Sequence, residues 1–100
     1  MVTKGTTRRG KKLKIAEKHV ITISAEYLIG LYYKQNGLCA ISGMKMTHRY
    51  KDLRSISIDR IDSTKGYIKG NVQLVCQWVN LAKGQHSDHE FKQILAELRG

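Results

Sequence analysis

The stretch Ser57-Ile58-Asp59-Arg60-Ile61-Asp62, then Gly66-Tyr67, then Gly70-Asn71-Val72-Gln73-Leu74-Val75-Cys76, decides the fold of this chain. Within Ser55–Ile61, serine and isoleucine alternate with a period of two, as in a half-buried strand. Ser63, Thr64, Gly66 and Gly70 make Asp62–Gly70 a turn-rich connection, with Gly66-Tyr67-Ile68 as a brief extended piece. Val72-Gln73-Leu74 reads as a short strand, after which a helix is expected from Val75 to Lys83.

Working outward, Ala25, Leu28, Ile29 and Tyr32 form an apolar stripe at helical spacing over Ala25–Gln35, with Ser24 placed to cap it. Asn36-Gly37 ends that helix in a left-handed cap. Leu38-Cys39-Ala40-Ile41, closed by Ser42-Gly43, reads as a strand entering a turn, and Met44–Leu53 as a polar loop. Near the end, Ser87 and Glu90 make a capping box before Phe91, Ile94, Leu95 and Leu98, which share one helical face. The fold class is α+β: a small single domain with a two-strand core, a preceding helix and a C-terminal helix.

One hundred residues make one domain. Hydrophobic residues form 41% and charged residues 26%, ordinary for a globular protein. The charge is not ordinary, since 18 Lys and Arg against 8 Asp and Glu leave +10 and predict a polyanionic partner. Residues 1–19 hold seven basic residues against Glu17, a net +6, and include Arg8, Arg9, Lys11, Lys12 and Lys14. Such a segment reads as a flexible DNA-binding arm that gains affinity by displacing counterions, or else as a solubilising tail. Residues 20–100 form the domain. No run is apolar enough for a membrane span or a secretory leader, so a reduced, cytoplasmic protein is expected.

The chemistry-bearing positions are Asp59, Asn71, Asn80 nine residues later, and Lys83 three after that. With these, the chain resembles the HNH endonucleases, whose ββα-metal core closes two strands and a helix around one divalent cation. Gln35-x-Gly37-x-Cys39-x-x-Ser42-Gly43 resembles the entry segment of phage-type members, so the likeness spans residues 24–85. Asp59 and Asn80 correspond to the metal ligands, and Asn71 to the asparagine that holds the connecting loop. As hard oxygen donors, Asp59 and Asn80 suit Mg²⁺ or Mn²⁺, which polarises the scissile phosphate and neutralises the leaving 3′-oxygen. The bland alternatives are an Asp59 paired with a surface lysine and an Asn80 bonded to nearby backbone. Lys83 would touch a phosphate, or be a solvated surface lysine.

Arg60 stands where the family's usual catalytic histidine is found, so the resemblance is to an Asp-Arg subgroup of phage and some restriction enzymes. A guanidinium is a poor base but grips phosphate and stabilises transition-state charge. Its alternative is a salt bridge with Asp62 or Asp52. Adjacent strand residues face opposite sides, so Asp59 and Arg60 share a site only if the strand bends or ends there. His48 and Tyr67 are candidate bases, with an exposed loop histidine and a packing tyrosine as their alternatives. Cys39-x-x-Ser42 and Cys76-x-x-Val79 each lack the second cysteine of a zinc knuckle, so no structural zinc is expected and both thiols read as buried apolar groups.

The resemblance implies a metal-dependent endonuclease hydrolysing phosphodiester bonds of double-stranded DNA in a bacterial or phage-infected cell, with a monomer and a dimer on DNA as open alternatives. Rival readings are a catalytically inactive DNA-binding module that keeps the fold, favoured by the missing histidine, and an RNA-directed nuclease.

Overall fold

The computed structural model describes residues 20–99. In order, the elements are α1 (Ala25–Lys34), β1 (Ile56–Arg60), β2 (Val72–Cys76), α2 (Gln77–Lys83) and α3 (Asp88–Arg99). β1 and β2 form a two-stranded antiparallel sheet in the register Ile56↔Cys76, Ile58↔Leu74 and Arg60↔Val72. Among the described residues the result is a small α+β fold of three helices and one hairpin. No helix among the described residues is long and apolar enough to cross a membrane.

A lone hairpin is marginal in water, and this one is packed on both faces. Ser57 and Asp59 point to one face, which α2 covers; Ile56 and Ile58 point to the other, which they share with Leu28, Tyr32 and Leu74 of the α1 side. Cys39, Met46, Leu74, Val75, Cys76, Val79 and Phe91 make up the buried core. The Gln35 side chain fastens α1 to β2. Its Nε2 donates to the Leu74 carbonyl at 2.9 Å, and its Oε1 accepts from the Leu74 amide at 3.1 Å.

Caps fall where the sequence puts them. Ser24 Oγ accepts from the Tyr27 amide at 3.1 Å, and Ser87 Oγ from the Glu90 amide at 3.1 Å, while Glu90 Oε1 accepts from the Ser87 amide at 3.3 Å. Asn36 and Gly37 both lie at positive φ, 57° and 71°. A Cβ on Gly37 would meet Tyr32 Oη at 3.0 Å, so conformation and space both favour glycine there.

Three elements differ from the sequence reading. Leu38–Ile41 is not a strand. Leu38 makes an isolated bridge to Lys45, and the chain then folds into a turn closed by Cys39 N–H to Met44 O and Gly43 N–H to Cys39 O. β2 runs on through Val75 and Cys76 because their partners Ser57 and Ile56 extend the ladder, so α2 begins at Gln77. In α3 only Phe91 of the expected stripe is buried, and Ile94 and Leu98 remain exposed, because the helix touches the core mainly through its first turn and Leu95.

Candidate functional site

The site starts at Asp59, a carboxylate 4% exposed on the α2-facing side of β1. Its Oδ2 accepts from Lys83 Nζ at 2.6 Å and from Gln73 Nε2 at 2.9 Å. Gln73 is its cross-strand partner in the register, and Lys83 ends α2. Lys83 Nζ also donates to Asp88 Oδ1 at the start of α3, and to the Arg60 carbonyl at 3.0 Å. Gln73 Nε2 reaches Asp88 Oδ2 at 3.0 Å. Four elements therefore meet in one polar cluster beneath the hairpin. Burial opposes the charge on Lys83, but its bonds to Asp59 and Asp88 outweigh that cost and hold its pKa above the ordinary lysine value.

Lys83 is 1% exposed. The expectation of a phosphate-binding or surface lysine is therefore corrected. Its ammonium neutralises two internal carboxylates and cannot reach DNA without breaking that cluster. Sequence spacing puts Lys83 on the strand-facing side of the helix but does not show what lies opposite. The same holds for Gln73 and Asp88, since a strand glutamine and a helix-start aspartate are common in sequence and only the packing joins them to Asp59.

Two protein ligands to a cation were expected on this face. Asn80 lies on α2 one turn before Lys83 and donates through Nδ2 to Ser57 Oγ at 2.6 Å and to the Ile58 carbonyl at 3.4 Å. Asp59 Oδ1 and Asn80 Oδ1 receive no hydrogen bond from any described residue. A buried carboxylate oxygen without a donor is costly unless water or a cation completes it. Two carboxylates on one ammonium also leave a formal charge of −1, which favours a further cation. Oxygen donors of these two kinds suit a hard cation, while the Lys83 ammonium takes the other oxygen of the same carboxylate. Among the described residues, no group of three or more His, Cys, Asp or Glu is arranged to hold a metal.

Arg60 ends β1 and, by strand alternation, points away from Asp59. Its Nη1 donates to the Lys65 carbonyl at 3.3 Å, and the guanidinium lies 5.3 Å from the centre of the Tyr67 ring. Tyr67 is thus a packing partner of Arg60, and its backbone pairs with Val20 and Thr22. The His48 ring lies 5.5 Å from that of Tyr32, tilted by 45°, on the α1 side of the sheet, and the structure does not bring it to the Asp59 carboxylate. Asn71 is buried and holds the 61–71 loop. Its Oδ1 accepts from the Asp62 amide at 2.9 Å, and its Nδ2 donates to the Gly66 and Asp62 carbonyls at 2.8 and 3.1 Å. Arg8, Arg9, Lys11, Lys12 and Lys14 lie outside the described residues.

Both cysteines are free and buried. Burial raises the Cys39 thiol pKa, yet hydrogen bonds from the Ser42 side chain and from the amides of Ser42, Cys76 and Ile41 outweigh burial and bring it below the usual range. Cys76 is pushed up by burial and by Cys39 beside it.

No protein-family model, curated protein or solved structure matches this chain.

Proposed function

We propose that this protein is a metal-dependent endonuclease of the HNH type acting on double-stranded DNA, with the hairpin and α2 as its ββα unit. The observation that carries this reading is the buried Asp59, whose Oδ1 has no donor among the described residues and which faces the helix bearing Asn80. Asp59 and Asn80 would hold Mg²⁺ or Mn²⁺. When bound, the cation supplies charge neutralisation at the scissile phosphate and its leaving 3′-oxygen. Gln73 fixes the Asp59 carboxylate, and Asn71 fixes the loop between the strands. Arg60, on the Tyr67 side of the sheet, contributes positive charge for holding the DNA backbone and not for the phosphate at Asp59. The proton of the attacking water passes to solvent or to a substrate phosphate oxygen, a route that uses no side-chain base. The +10 chain supplies affinity for the DNA backbone.

One observation favours a second reading, an inactive DNA-binding module: the Lys83 ammonium already occupies Asp59 Oδ2. Incubation with supercoiled plasmid separates the two. Mg²⁺-dependent nicking that is lost with chelator and in Asp59→Ala supports the enzyme. Retarded plasmid with no nicking under Mg²⁺ or Mn²⁺ supports the module.

A further inference from the structure

At the 49–52 turn an exposed aromatic ring sits on a hydrogen-bonded loop. Tyr50 is 90% exposed, an aromatic ring left in water without a packing partner in the core. Beside it Lys51 takes a left-handed conformation, φ 62°, which non-glycine residues rarely adopt. The turn is nonetheless tightly braced. Asp52 Oδ1 accepts from the Arg54 amide at 2.9 Å, and Asp52 Oδ2 from Thr47 Oγ1 at 3.1 Å. The Asp52 carbonyl accepts from the Ser55 amide at 2.9 Å, and the Thr47 amide donates to the Arg54 carbonyl at 2.9 Å. These bonds close the base of the turn that carries the ring, so less of the backbone has to be ordered on contact.

Charge surrounds it. Residues 45–54 carry Lys45, Arg49, Lys51 and Arg54 against Asp52, a net +3. The Lys51 ammonium lies 5.5 Å from the Tyr50 ring centre. Behind the turn, an open cleft of about 730 Å³ runs to Gln77 and Leu81 of α2. An exposed ring set among cations matches a nucleobase flanked by phosphates, because stacking uses the π-face of any base and the cations neutralise the backbone.

We propose that the 49–52 turn is a nucleic-acid contact in which Tyr50 stacks on an unpaired or splayed DNA base while Arg49, Lys51 and Arg54 hold the flanking phosphates. This deepens the endonuclease reading and rests on its choice of DNA as partner.

The test uses the full chain in chelator, so that binding is read without cleavage. The probe is a DNA duplex carrying one bulged 2-aminopurine. Expected results are quenching of the 2-aminopurine by the unaltered chain, and its loss in Tyr50→Ala with affinity lower by on the order of tenfold. Tyr50→Phe and Tyr50→Trp should restore both, and Arg49→Gln should reduce the slope of log affinity against log salt by about one. Because Tyr50 is exposed, thermal melting of these variants should be unchanged. If Tyr50→Ala binds and quenches like the unaltered chain, this inference is overturned and the endonuclease reading survives. If the unaltered chain does not bind DNA at all, both fall. Tyr50-dependent binding of polyglutamate in preference to the duplex would also overturn it, by assigning the turn to an acidic polypeptide.

Discussion

Lys83 is a cation sealed from water, and its value lies in the two carboxylates it faces. Removing one member of a buried ion cluster leaves the others uncompensated, so Lys83→Met should lower unfolding free energy by about 3–5 kcal/mol in a urea titration. The sign of the pH dependence follows from the raised pKa. Folding favours the protonated lysine, so its contribution is complete below the ordinary value of 10.5 and is lost as pH climbs through the higher folded value. Melting temperature should therefore fall above pH 10.5. Asp88→Asn, which removes one of the two partners, should flatten that fall. Asn71 makes the complementary case with neutral groups. It satisfies three backbone groups from a buried position, and Asn71→Ala should cost about 2–3 kcal/mol by the same titration.

At the level of elements, caps and periods were readable because they depend on residues a few positions apart. Ser24, Asn36-Gly37 and the Ser87/Glu90 box all act within one turn of chain, and each acts as the sequence reads. Ser87→Ala should lower stability by about 1 kcal/mol, with accelerated amide exchange confined to the first turn of α3. The end of β2 was not readable in the same way. Val75 and Cys76 fit either a strand or a helix start by local preference, and the ladder to Ser57 and Ile56 decides for the strand. Leu38–Ile41 failed for the opposite reason: a short apolar run without a neighbouring strand beyond one bridge stays a turn.

Across the molecule, the attachment of α3 is the weakest. It rests on Phe91, on half-buried Leu95 and on Asp88 in the polar cluster, while Ile94 and Leu98 face water. Phe91→Ala should undock the helix, with its amides exchanging near the rate of free peptide while those of β2 stay protected. Because Asp88 leaves with α3, the same variant frees Lys83 from one of its carboxylates. If Asp59 holds a divalent cation, Mg²⁺-dependent protection against heating should then change in Phe91→Ala relative to the unaltered chain, as differential scanning calorimetry would show.

By itself the sequence determined the α+β class, the three helices and two strands from Ala25 onward, the caps and the basic excess, all of which follow from short-range periodicity, spacing and composition. The grouping of Asp59, Asn71, Asn80 and Lys83 around one hairpin and helix was what the resemblance to the HNH endonucleases implied. Tertiary structure alone decided that Lys83 turns inward to join Asp59 and Asp88, that Gln73 bridges the same two carboxylates, and that Arg60 lies on the Tyr67 side of the sheet. Those outcomes depend on which side chains are sealed from water together, and burying a charge is tolerable only where its counter-charge is buried with it.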